Sequence, residues 1–315
     1  MLDFIQHIGR FPRGKPVKLK KRFVIILFAV LAVAWFVPSP VRADMGPKPS
    51  VVVDFPDVPR STYYVTLLSE AEITGPYRVV DADEAATYEG QTEEEEEAYY
   101  KLATYVDGNG YHFLGHIEEC SETNQYSWTY YPPQKFKILV YIPSQSSEGG
   151  EAAPEQFLHS EILEAYAFDS YYTVTGFERP LLTVRQSYNF GPELLSLFLR
   201  IVLTIAIEQA IAWLFRFRNN RVLRLILVVN LFTQIGLNVA LNVIAYYGGG
   251  LAFIFLLIPL ELIVFIVEAI IYARSLPRRS SGQIKGRTAV AYALVANIAS
   301  LALGWMLARY LPGIF

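Results

Sequence analysis

Residues 222–246 read VLRLILVVNLFTQIGLNVALNVIAY, residues 247–250 read YGGG, and residues 251–273 read LAFIFLLIPLELIVFIVEAIIYA. Each flank is long enough to cross a bilayer as a helix, which takes about 20 apolar residues. Two further apolar stretches, 194–215 and 288–308, lie on either side of this pair, so the reading is a four-helix transmembrane bundle. The connections set its direction. Arg216, Arg218, Arg221 and Arg224 surround the first, Arg274, Arg278, Arg279, Lys285 and Arg287 fill the third, and the glycine connection between them carries no charge. Basic loops stay in the cytoplasm. The expectation is a multi-pass cell-membrane protein whose residues 44–190 and C-terminus are extracytoplasmic.

The chain of 315 residues is 53% hydrophobic with a net charge of −3, a total that describes no part of it. Residues 1–43 hold eight Lys/Arg against one Asp, residues 44–190 hold eight against 25 Asp/Glu, and residues 191–315 hold eleven against four Glu. The segment charges are therefore +7, −17 and +7, which excludes one uniform soluble domain and, through the acidic middle, a nucleic-acid partner. In 1–43 a basic stretch ending in Lys18, Lys20, Lys21 and Arg22 precedes a short apolar run and Val41 and Ala43, which fit a cleavage site. This reads as a signal peptide, with an uncleaved signal anchor as the alternative. Cys120 is the single cysteine, so no disulfide forms within the chain.

Residues 44–186 show short Val-, Tyr- and Thr-rich runs between turn residues, as at 51–55, 63–67 and 136–142. The spacing predicts an antiparallel β-sandwich, making the chain an α+β multidomain protein, with 99–106 and 111–119 as a hairpin around Asp107-Gly-Asn-Gly110. That turn has two oxygen ligands of a calcium loop but lacks the rest. His112, His116, Glu118 and Cys120 share a face if 111–120 is one strand. The two histidines would then be about 13 Å apart, too far for one ion, and ordinary sheet-face roles are expected. The acidic run Glu93, Glu94, Glu95, Glu96 and Glu97 reads as a solvated loop or helix start, or as a patch attracting cations. The many tyrosines fit strand packing, with stacking on sugars or peptides as the alternative.

Polar residues inside apolar spans are costly and face partners or cavities. Arg200, Thr204 and Glu208 step by four, as do Asn230, Gln234, Asn238 and Asn242, while Glu261 and Glu268 are seven apart. Each set falls on one helix face. At 1.5 Å per residue Glu208, Asn230 and Glu268 share an inner layer, and Glu261, Gln234 and Asn297 fall near the midplane, with Arg200 within reach of Glu261. This network is either glue for the helices or part of an ion path; Ala296, Ser300 and Gly304, spaced by four, favour close helix approach. Residues 191–315 contain no His, Cys or Asp, and the chain has no zinc-peptidase, serine-hydrolase or phosphate-loop motif. No enzyme, metal or cofactor is expected.

Asn230, Thr233, Gln234, Leu237 and Asn238, then Glu261, Val264, Glu268 and Tyr272, then Ala296, Asn297, Ser300 and Gly304 form a pattern. Together with the strings at 130–141 and 166–171 it resembles bacterial membrane proteins with an exported β domain ahead of four helices. The resemblance implies architecture only. The functional expectation is a cell-envelope protein with a binding or sensing β domain, accessory to a membrane protein partner or homo-oligomer in the lipid bilayer. The alternative is a small ion-coupled transporter using Glu208, Glu261 and Glu268.

Overall fold

The computed structural model describes residues 47–58, 62–144 and 153–310. The expected signal peptide lies outside them. A β-rich region is followed by three helices that are long and apolar enough to cross a membrane.

Two sheets build the β region. The first has the order β12 (Thr183–Gln186), β11 (Asp169–Thr175), β1 (Ser50–Asp54), β7 (Gln125–Trp128). The second is built on β8 (Lys135–Ile142) and β2 (Tyr64–Ser69), with β10 (Leu163–Glu164) and β9 (Gln156–His159) on β8, and β5 (His112–Phe113) and β6 (Glu118–Glu119) on β2. A small β3–β4 ladder (Ile73–Thr74, Tyr77–Arg78) stands apart. The pairing is not wholly antiparallel as expected. β1 and β11 run parallel, from Ser50 beside Asp169 to Asp54 beside Thr173, which the long chain between them permits.

All six residues of β2 are buried because both of its faces are covered. Val65 and Leu67 join Val51, Val53, Trp128, Ile138 and Val174 in one core contributed by both sheets. Tyr64 and Leu68 on the other face, with Leu139 and Tyr141, meet Ala98, Tyr99 and Leu102 of helix α2. The short helix α1 spans Ala82–Ala85 and α2 spans Glu93–Ala103.

Helix α2 replaces the first strand of the expected hairpin. Thr92 caps it, its side chain accepting from the Glu95 backbone N–H, and four glutamates occupy the positive first turn, where anions are favoured. The strand expected at 111–120 is likewise broken into β5 and β6, with Gly115 at φ 74° between them. A Cβ there would come within 2.9 Å of Val80 and 3.0 Å of the Tyr99 hydroxyl. His112, His116, Glu118 and Cys120 therefore do not share one continuous strand face.

Helix α3 covers Phe190–Leu214, α4 Asn220–Arg279 and α5 Gly286–Tyr310. α4 is interrupted at Gly249, where φ 75° and ψ 177° are not helical. Its arms, 220–248 and 250–279, fold back on each other. Thr233 bonds Glu268 and Asn230 bonds Tyr272, pairs that step away from Gly249 in opposite directions, so the arms are antiparallel. Asn219 donates to the Arg279 carbonyl, which puts both basic connections at the end remote from the β region. At that end Ile211, Ala212, Ile226, Tyr272, Tyr292 and Ala293 form a closed apolar core. The outward faces, including Phe198, Phe232 and Phe255, are strongly exposed apolar surface.

Candidate functional site

The polar groups expected on one face of each helix do converge, in two levels. In the lower level Glu268 is fully buried, and its two carboxyl oxygens accept from Thr233 Oγ1 at 2.6 Å and Asn297 Nδ2 at 2.7 Å. Tyr272 donates to Asn230 Oδ1 at 2.7 Å, and Tyr292 to the Glu208 backbone carbonyl at 3.2 Å. Glu208 is also fully buried, yet neither carboxyl oxygen has a hydrogen-bond partner. The Asn230 Nδ2 beside it is buried and unpartnered too. Here an acceptor and a donor lie side by side without a hydrogen bond of ordinary geometry between them. Asn297 belongs to this level, bonded to Glu268, and not to the Glu261 level assigned from residue counting.

Above it, toward the β region, lies a cavity of about 460 Å³ lined by residues from all three helices, including Arg200, Thr204, Gln234, Asn238, Glu261 and Ser300. Arg200 donates from Nη2 to Asn242 Oδ1 at 3.1 Å and lies 5.8 Å from the Phe253 ring centroid. Arg200 and Glu261 share the cavity, but no ion pair joins them among the described residues. Ser300 and Gly304 were expected to let a neighbouring helix approach. Ala296 and Ser300 are buried, but Ser300 also lines the cavity with Gly304, and a Cβ on Gly304 would meet nothing within 4 Å.

The β region rests directly on the tip of the α4 hairpin. The Phe168 N–H donates to the Tyr246 carbonyl at 2.8 Å, and the Phe168 carbonyl accepts from the Ser50 N–H at 3.0 Å, at the start of β1. The Phe168 ring covers Gly249 so closely that a Cβ there would stand 2.7 Å from it. Tyr166, Tyr188 and Phe190 pack around Tyr246. Of these aromatics the sequence reading noted only the cluster at 166–172, as strand packing or stacking; the signal for a joint was the glycine triplet, an unhindered landing site for a ring.

In the β region the acidic run is the start of α2. Glu95 accepts from the Tyr88 hydroxyl and the Gln91 N–H, and Glu96 from the Gly90 N–H. No group of three or more His, Cys, Asp or Glu is placed to hold a metal ion among the described residues. His116 is wedged among Tyr77, Tyr126 and Trp128, and burial pushes its imidazole down. Cys120 is buried, and burial pushes its thiol up, so it is unreactive. The turn at Asp107 holds a feature the sequence did not announce. Lys137 Nζ bonds Asp107 Oδ1 and Asn109 Oδ1, each at 2.6 Å, inside the protein. Burial pushes the Asp107 carboxyl up, but Lys137 and the N–H groups of Asn109 and Tyr111 outweigh it and hold it below the usual value.

Comparison of the chain with protein-family models, curated proteins and solved structures gives no match. The class defined by the fold is a β-rich region seated on three helices that are long and apolar enough to cross a membrane.

Proposed function

We propose that the chain is a multi-pass cell-membrane protein in which an exported acidic β-sandwich sits on a four-helix transmembrane bundle and transmits its binding state to it, as an accessory or sensing subunit. The two arms of α4 count as separate spans in this reading, and the basic connections face the cytoplasm. The observation that carries it is the seating of Phe168 on Gly249. A loop anchored to β1 on one side and to the hairpin tip on the other moves both together. The basic connections at 215–219 and 280–285 are too short to hold an output domain, so the signal passes to a membrane partner or a second copy.

Orientation is tested by labelling single cysteines, with the buried Cys120 silent. A probe on Gly108→Cys should react from outside and one on Ser281→Cys only after the membrane is opened; the reverse pattern overturns the topology. Transmission is tested with Phe168→Ala, which should speed hydrogen exchange around the tip at 246–253. Unchanged exchange there would leave the two parts mechanically independent and defeat the sensing role.

A second reading, a small ion-coupled carrier, is favoured by the position of Glu268 two helical turns along the same arm from the cavity-lining Glu261. Proton or solute flux in proteoliposomes should then vanish in Glu268→Gln and Glu261→Gln with the fold intact. Equal flux in wild type and both variants removes the carrier.

A further inference from the structure

Arg200 sits mid-helix in α3 with a guanidinium that stays charged under all ordinary conditions. Its side-chain partner is the neutral Asn242 amide, its Nε is buried without a partner, and no carboxylate of the described residues lies within ion-pair distance. Glu193, the carboxylate whose charge reaches Arg200, makes no ion pair with it and accepts from the Tyr188 hydroxyl, and a cation in hydrocarbon surroundings without an anion in contact is strongly disfavoured. The chain thus supplies half of an ion pair and a cavity beside it.

The cavity says what carries the other half. Its volume of about 460 Å³ lies within the roughly 300–1,000 Å³ of small-molecule sites. Leu203, Leu237, Leu241 and Leu257 give it an apolar wall. The lining residues Ile254 and Trp305 are 54% and 53% exposed on the outer surface of the helices, so its side opens toward lipid and not only toward water. Arg200 meets Asn242 and Phe253, near the Gly249 end, while Glu261 lies two turns deeper along the second arm. A headgroup paired with Arg200 therefore sits at the upper level, two turns from Glu261.

We propose that this cavity binds a single-chain anionic amphiphile from the outer leaflet, with a carboxylate or phosphate headgroup on Arg200 and its acyl chain along the leucine wall, leaving between Ile254 and Trp305. The site rests on the membrane placement proposed above but not on transmission through Phe168. Occupancy fills the space directly beneath the hairpin tip, so such an amphiphile is the natural effector of a sensing bundle.

The test uses the full chain in nonionic detergent with Trp35→Phe and Trp213→Phe, so that Trp305 is the exposed tryptophan among the described helices. A brominated long-chain fatty acid and a brominated alkyl monophosphate serve as quenching probes, with the brominated alcohol and alkylammonium of equal length as controls. Saturable quenching by at least one acid is expected, and the tighter of the two identifies the headgroup. Arg200→Gln should weaken it at least tenfold. Gly304→Leu, which places a side chain in the open space at the cavity wall, should abolish it while helical circular dichroism stays unchanged. Equal binding of the alcohol, tighter binding of the alkylammonium, or acid binding unaffected by both variants overturns the site. Release of the chain from membranes by alkaline carbonate would instead break the membrane reading, independently of what the cavity binds.

Discussion

The β region and the helical region both bury charged side chains, and they treat them in opposite ways. Asp107 and Lys137 are saturated. The carboxylate accepts from an ammonium and two backbone N–H groups, and the ammonium also bonds Asn109 and lies 5.5 Å from the Tyr111 ring centroid. In the helices Glu208 has no partner, and Asn230, Asn297 and Arg200 each leave a buried polar atom unbonded. The β region has only the hydroxyls of Tyr126 and Ser187 in that condition among the described residues. A saturated network fixes one conformation, whereas an unsaturated one in a low-dielectric interior stores free energy that a ligand, a proton or a rotated side chain can release.

The largest expected effect breaks the saturated side. Lys137→Met leaves Asp107 buried without its counter-ion and should cost about 3–5 kcal/mol of stability, seen as a lowered unfolding midpoint of the β region in the full chain. Adding Asp107→Leu should recover most of the loss. A loss under about 1 kcal/mol in the single variant would mean that the pair is hydrated and the contrast false.

Next comes the hairpin joint. Gly249→Ala forces an L side chain into φ 75° and against the Phe168 ring, a combination expected to cost about 1–3 kcal/mol. Melting should split into separate transitions for the β region and the helices. A single unchanged transition would show that the joint holds nothing together.

Glu268 tests the part of the helical network that is bonded. Glu268→Leu strands Thr233 and Asn297 and should cost about 1–3 kcal/mol, whereas Glu268→Gln keeps an acceptor and should lie within about 0.5 kcal/mol of wild type. Equal loss in both would point to charge, not hydrogen bonding, as the need.

The pH dependence sharpens the comparison. Asp107 is held below its ordinary value near 3.8. Its contribution is therefore complete above that value and is lost as pH falls through the lower native one. Acid titration of β-region stability should be less steep in Asp107→Asn, which starts from a lower stability at neutral pH.

How much of this was legible follows from the range of each signal. Apolar length and the arginine clusters are local, and the three long helices with their break at Gly249 could be read directly. The same-face spacing of Arg200, Thr204 and Glu208, or Asn230, Gln234 and Asn238, is periodic and therefore legible, and Arg200, Thr204, Gln234 and Asn238 line one cavity. Which partner each residue takes was not legible. Asn297 meets Glu268 because of helix offset, a tertiary quantity that counting along separate helices does not contain. The acidic run was read as a loop or helix start and does begin helix α2, but Tyr99 and Tyr100 suggested strand beyond it, although Thr92 followed three residues later by Glu95 is a helix-start pattern. The Asp107–Lys137 pair spans thirty positions and left no local trace.

The smallest expected effect on stability lies at Glu208, and it is the most informative. Its carboxyl oxygens have no partner at ordinary hydrogen-bond geometry, so replacement by Gln removes no such bond and keeps an acceptor that can face the unbonded Asn230 Nδ2. Asn230 can then rotate to meet it. The change in melting should be within about 0.5 kcal/mol or toward higher stability, unlike an ordinary fully buried position, where substitutions cost about 1 kcal/mol on average. A natural residue that is no better for stability than its replacement is kept for another reason, the usual mark of a functional group in a stability–activity trade-off. Detergent melting of Glu208→Gln beside Glu268→Leu is the comparison to make. If Glu208→Gln destabilises as much as Glu268→Leu, Glu208 is bonded after all, and the helical network is glue as complete as the Asp107 turn.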